Sequence, residues 1–199
     1  MTRLKELAKL GQSVWLDYIS RSLIASGELQ SLIGEGLGGI TSNPTIFEKA
    51  IAGSGDYDAD IRRLSSQGKS DIEIYEALAI DDIRRAADLL RTLHEESGGA
   101  DGYVSLEANP RLAYDTQGTV SEVRRLWKLL ARPNVMIKVP ATEAGIPAVE
   151  SLTAEGINVN ITLIFSLSHY DAVARAYTGG LEKLAATGGP VEKVASVAS

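Results

Sequence analysis

Six polar residues stand late in short, otherwise apolar runs: Asp17 in SVWLDYI, Asn43 in GITSNP, Glu107 in YVSLEANP, Lys138 in VMIKVPA, and Asn160 with Thr162 in NVNITLIF. Successive side chains of a strand point to opposite faces. Val135, Ile137 and Val139 therefore share one face, and Met136 and Lys138 the other. In the same way Val159, Ile161 and Leu163 oppose Asn158, Asn160 and Thr162, and Val104 and Leu106 oppose Tyr103, Ser105 and Glu107. Thr41 falls on the side of Asn43. A sheet with one face in water alternates in this way too. Here, however, the connections read as helices, which cover both faces of a parallel sheet and enclose its polar residues. This confines the chain to the α/β class. A βα barrel is the architecture that gathers polar groups from several strands at one mouth, where its chemistry sits.

The order of elements follows from periodicity. Leu4, Leu7 and Leu10 form a helical stripe over residues 3–10, and SVWLDYI is the first strand, with a short helix near 20–33. Gly34, Gly36 and Gly39 spell G-x-G-x-x-G, but they precede a strand instead of leading from one into a helix, so the segment reads as a turn. Residues 44–98 carry helical patterns around Phe47, Ile51, Ile61 and Leu64 and from Ile72 to His94, too long a stretch for one crossover. YVSLEANP is strand three, Ser121 to Leu130 its helix, and VMIKVPA strand four. A helix closed by Gly156 leads into NVNITLIF, Ser168 to Leu184 is helical, and VEKVASVAS opens a sixth strand. A complete barrel takes eight strands and about 250 residues. The reading is thus a single domain over 1–199, a (β/α)8 barrel type with about six strands, cut short on its C-terminal side.

Composition narrows the functions. A net charge of −6 without a Lys/Arg cluster gives no footprint for nucleic acid. With no cysteine there is no disulfide or thiolate site, and the two histidines, His94 and His169, lack a ligand cluster at metal spacing. No run approaches the ~18 apolar residues of a membrane span, and MTRLKELAKLGQ lacks the apolar core of a signal peptide. A cytoplasmic protein is expected. The Asn160-Ile161-Thr162 glycosylation signature lies in a strand expected to be buried, and is set aside.

Lys138 is the leading candidate for chemistry. Enclosure makes an ammonium ion costly and favours the free amine, the form that attacks a carbonyl. A lysine guarding an edge strand is the alternative, although a central strand of a barrel is not an edge. Asp17 and Glu107 could act as separate bases, or either could be the counter-ion of Lys138. Asn43, Asn160 and Thr162 supply neutral donors and acceptors suited to sugar-like hydroxyls, the alternative being satisfied polar packing.

The motifs SVWLDYISRSLI, GITSNPTIFEKAI, DGYVSLEANP, NVMIKVPATEAG and NVNITLIFS together resemble the transaldolases, in the style of their longer bacterial members, from about Ser13 to the end. The resemblance implies a (β/α)8 barrel that moves a dihydroxyacetone unit between sugar phosphates in the non-oxidative pentose phosphate pathway, with no metal or other cofactor. On that resemblance Lys138 is the Schiff-base lysine, and Asp17 takes the proton from the donor's carbon-four hydroxyl. Glu107 relays protons through a water that Thr162 helps hold, and Asn43 and Asn160 bind the dihydroxyacetone hydroxyls. Thr41 joins them on the substrate side. Ser199 matches the family's strand-six serine, and the two arginines that grip phosphate in the family fall past it. Two other readings use the same chain: a fructose-6-phosphate aldolase with the same lysine, and a non-catalytic piece that self-associates through open strand edges.

Overall fold

Local signals decide where the helices of the first half begin. A computed structural model describes residues 2–199, and the chain divides into two compact units, Met1–Val104 and Ser105–Ser199. In the first, Thr2 caps helix α1 (Arg3–Lys9), accepting from the Lys5 N–H. Strand β1 (Trp15–Asp17) follows, and Ser20 caps α2 (Arg21–Ala25). The one helix expected near 20–33 is two. Gly27, at φ 84°, breaks the chain before α3 (Glu28–Glu35), since a left-handed residue cannot continue a right-handed helix.

The Gly34–Gly39 segment is a turn, as expected. Gly36 closes α3 at φ 115°, and a Cβ there would stand 2.9 Å from the Lys5 backbone nitrogen. Strand β2 (Gly39–Thr41) then pairs parallel with β1, placing Asp17 beside Thr41. The long following segment resolves into α4 (Pro44–Ala52), α5 (Asp58–Ser66) and α6 (Asp71–Glu96). Helix α6 starts in a capping box: Ser70 Oγ accepts from the Glu73 N–H, and the Glu73 carboxylate accepts from the Ser70 N–H. Its stripe of Ile83, Ala86, Ala87 and Leu90 is fully enclosed, and it packs against α2, α3 and α5.

Strand β3 (Tyr103–Glu107) begins in the first unit and ends in the second. In the second unit Asp115 caps α7 (Thr116–Leu130), accepting from the Gly118 N–H, so this helix starts five residues earlier than the apolar pattern alone suggests. It stops at Ala131 in the left-handed region, φ 48°. Strand β4 (Val135–Pro140), α8 (Gly145–Ala154), β5 (Val159–Thr162), α9 (Leu167–Ala186) and β6 (Ser196–Ala198) complete the unit. β4, β5 and β6 pair parallel and in chain order. The helices pack in sequence, α7 on α8 and α8 on α9. Gly180 permits the last contact, since a Cβ there would lie 2.6 Å from Thr153 Cβ.

Asn158 ties the unit's strands together. Its amide donates to the carbonyls of Pro133 (2.9 Å) and Val135 (3.1 Å), and its oxygen accepts from the Ala195 N–H (2.9 Å). Strand β5 is shorter than the NVNITLIF run. It ends at Thr162 because Leu163 turns left-handed at φ 63°, which leaves Leu163, Phe165 and Leu167 exposed at 56%, 85% and 88%. The expected alternation therefore fails at Leu163, which does not join Val159 and Ile161 on an apolar face. The architecture is α/β, with parallel strand pairs joined by helices and six strands among the described residues, the class expected from the sequence.

Candidate active site

Lys138 sits near the end of β4 between two fully enclosed residues, Ile137 and Val139, and its own side chain is 12% exposed. The Lys138 Nζ lies 3.6 Å from Glu107 Oε2, at the last residue of β3. A backbone hydrogen bond from the Ala108 N–H to the Lys138 carbonyl (3.2 Å) holds these two strand ends together. That gap is slightly longer than a hydrogen bond, and a small approach of the two flexible side chains brings carboxylate and amine within reach of proton exchange.

The next strand continues the arrangement. Lys138 is in register with Asn160, and Pro140 with Thr162. Asn160 is 4% exposed. Its Nδ2 donates to Ser105 Oγ (3.1 Å), and its Oδ1 accepts from Ser199 Oγ (3.2 Å). Both ends of the amide are thereby oriented. An Asn in that position is no glycan acceptor. Thr162 is half-buried at the end of β5, and Ser199 is held by its N–H, which donates to the Ile161 carbonyl (2.8 Å).

Asp17, Thr41 and Asn43 belong to the first unit. The Asp17 carboxylate is exposed at the end of β1, with Thr41 half-buried beside it on β2. Asn43 has a structural task that the strand pattern did not disclose: its Oδ1 accepts from the Ile46 N–H (2.9 Å) and caps α4. In the second unit Glu107, Lys138, Asn160 and Ser199 come together, and Thr162 shares their strand. Ser105, fully buried on β3, escaped the sequence reading as a site residue. The signal was there, since it occupies the same strand face as Glu107.

Neither histidine joins this cluster. In the first unit His94 packs edge-on against Tyr103, with centroids 4.8 Å apart, and its Nδ1 lies 3.0 Å from the Asp101 carbonyl oxygen. His169 is exposed in the first turn of α9. Among the described residues, no group of three or more His, Cys, Asp or Glu could hold a metal ion, and no helix is long and apolar enough to cross a membrane.

Comparison with known proteins gives a consistent result. The chain is 53% identical over 197 residues to a transaldolase of Trichodesmium erythraeum, an alignment covering 98% of this chain and 52% of that protein. It is 53% identical to a transaldolase of Thiobacillus denitrificans over 98% of this chain and 55% of that protein. A transaldolase of Neisseria gonorrhoeae is 48% identical over 100% of this chain and 57% of its own length. The chain thus spans about half the length of the curated relatives it matches. The family model described as transaldolase/fructose-6-phosphate aldolase matches residues 14–199. The enclosed lysine, its neighbouring carboxylate and the parallel βα order are accordingly those of a chain that belongs to the transaldolase/fructose-6-phosphate aldolase family.

Proposed function

We propose that this chain carries transaldolase chemistry: transfer of a dihydroxyacetone unit from sedoheptulose 7-phosphate to glyceraldehyde 3-phosphate, giving erythrose 4-phosphate and fructose 6-phosphate. The observation that carries the reading is Lys138, an enclosed strand lysine whose Nζ lies 3.6 Å from a carboxylate. Relatives that are about half identical bear the name transaldolase.

In the proposed sequence the Lys138 amine adds to the donor ketone, and loss of water leaves a protonated imine. Glu107 moves the protons of this step and of its reversal. Asp17 takes the proton from the carbon-four hydroxyl, and the bond between carbons three and four breaks. The electron pair of that bond enters the iminium and forms an enamine, and the shortened sugar leaves as an aldehyde. The enamine then adds to the acceptor aldehyde, and water releases the product and the free lysine. Thr41, Asn43, Asn160 and Ser199 bind the hydroxyls of the three-carbon unit, and Thr162 holds the relay water. The partners are sugar phosphates, and the setting is the non-oxidative pentose phosphate pathway of the cytoplasm.

Borohydride reduction in the presence of fructose 6-phosphate tests this, followed by peptide mass spectrometry. An adduct confined to the Lys138 peptide and absent from Lys138→Ala is expected. An adduct on another lysine, or none on a folded sample, would sink the assignment. Release of free dihydroxyacetone without an acceptor would move the reading to a fructose-6-phosphate aldolase.

A second reading, self-association, draws on Phe165 and Leu167, exposed at 85% and 88%. It predicts concentration-dependent oligomers. A monodisperse monomer at all concentrations in light scattering counts against it.

A further inference from the structure

Among the described residues, the charged side chains that are buried outright are Arg21 and Asp82, with 9% and 0% of their surface exposed. Both lie in the first unit, and they meet across 61 positions of sequence. Asp82 interrupts the apolar stripe of α6, with Ala79 and Ile83 on either side. Its Oδ1 accepts from Arg21 Nε (3.2 Å), and its Oδ2 accepts from the Tyr57 hydroxyl (2.8 Å). The Tyr57 oxygen in turn accepts from the Arg21 backbone N–H (2.9 Å). One carboxylate thus holds the first residue of α2 twice, by its side chain directly and by its backbone through a phenol.

Other donors of Arg21 are occupied as well, one of them by the Asp56 carbonyl oxygen at 3.4 Å. Asp60 accepts at 2.6 Å and Asp81 at 3.4 Å, and the guanidinium carbon lies 4.5 Å from the centre of the Tyr57 ring. Arg63 and Arg85 neutralise Asp60 and Asp81 from outside, at 2.7 Å and 2.9 Å. Burial pushes the Asp82 carboxyl up, opposed by the Tyr57 hydrogen bond and the Arg21 charge. For Arg21 burial works against the charge, but the pull of Asp82 and the bonds to Asp60 and Asp82 outweigh it.

A buried ion pair seldom adds stability over apolar residues of the same volume, whereas a hydrogen-bonded polar network does fix geometry. What this one fixes is the turn after β1. Only Tyr18, Ile19 and Ser20 separate Asp17 from Arg21; Ile19 is 0% and Ser20 5% exposed. We propose that Arg21, Asp82 and Tyr57 form a positioning device that holds the β1–α2 turn, and through it the carboxylate of Asp17. The role given to Asp17 rests on the function proposed above.

The test compares the chain with Arg21→Met/Asp82→Leu, which removes both buried charges at similar volume. The urea midpoint is expected to stay near that of the parent, while amide exchange at Tyr18 and Ile19 accelerates tenfold or more. Borohydride trapping on Lys138 should change less than twofold, and single-turnover cleavage of the carbon three to four bond should fall at least tenfold. Parent-like exchange in the folded double variant overturns the proposal whatever the activity. Parent-like exchange with no Lys138 adduct in the parent overturns both readings, whereas altered exchange with no adduct overturns only the Schiff-base assignment. Should the double variant fail to fold, Tyr57→Phe removes one hydroxyl and carries the same exchange test. An acceleration of about threefold at Tyr18 and Ile19 is expected, and unchanged exchange overturns the proposal.

Discussion

Glu73 shows how a single exposed side chain writes a pH dependence into a helix. Its carboxylate accepts from Lys69 Nζ (2.7 Å) and from the Ser70 N–H (3.0 Å), and these bonds hold its pKa down to about 2, from an ordinary value of 4.5. A depressed acid contributes stability above its unfolded pKa and loses it as the pH falls through the folded one. The capping box should therefore support α6 fully above about pH 4.5 and fade toward pH 2. Glu73→Gln keeps an acceptor for the Ser70 N–H but not the charge. Urea midpoints of parent and variant should differ at pH 7 and converge at pH 2, and a difference that persisted in acid would contradict the mechanism. Single residues also mark how far sequence alone reaches. Lys138 and Glu107 are legible because a charge in an apolar, alternating run is a local anomaly. Asp82 is the same anomaly in helical form, an acid on the stripe of Ala79 and Ile83. Its partner Arg21 is 61 positions away with no pattern linking the two, so what was missing was the contact and not the chemistry.

At the scale of elements, caps and steric limits decide where segments stop. Asp115 starts α7 at Thr116, ahead of its apolar stripe, because its side chain accepts from the Gly118 N–H, which has no partner within the helix. At the other end Ala131 adopts φ 48°, a conformation that costs an L-residue roughly 1–2 kcal/mol. Ala131→Gly should raise stability by about 0.5–1 kcal/mol, after allowing for the added freedom of the unfolded chain, as read by thermal unfolding. Gly145 presents the opposite case. A Cβ there would stand 2.0 Å from the Pro140 carbonyl oxygen, a backbone atom at the end of the strand that bears Lys138. Gly145→Ala should cost about 2 kcal/mol or more and slow imine trapping on Lys138; a variant with parent stability would show that the loop yields freely. Three strands are shorter than their runs: β1 keeps Trp15–Asp17 of SVWLDYI, β6 starts at Ser196 after a 3-10 turn at Val191–Lys193, and β5 ends at Thr162. Leu163, Ile164 and Phe165 extend the apolar run, and periodicity cannot register a left-handed turn adopted by a leucine.

For the molecule as a whole, charge and exposed apolar surface act together. The net charge of −6 opposes association at neutral pH, while Phe165 and Leu167 present uncovered side chains. Repulsion vanishes near the isoelectric point of about 5.0, so light scattering should rise toward that pH. Phe165→Asp/Leu167→Asp should suppress the rise, and an unchanged profile would exonerate these residues. The parallel order of strands and helices was legible throughout, because each βα step carries its own periodicity. The division into two compact units was not, since strand β3 runs through the boundary without any break in its pattern. The Asn158 amide has a further consequence, which concerns the order of assembly. It donates toward the entry of β4 and accepts just ahead of β6, so burying β5 against either neighbour alone strands part of a polar group away from water. The three strands are thus bound to form as one cooperative event, and their amides should open to exchange together, at a single free energy, instead of peeling from one side.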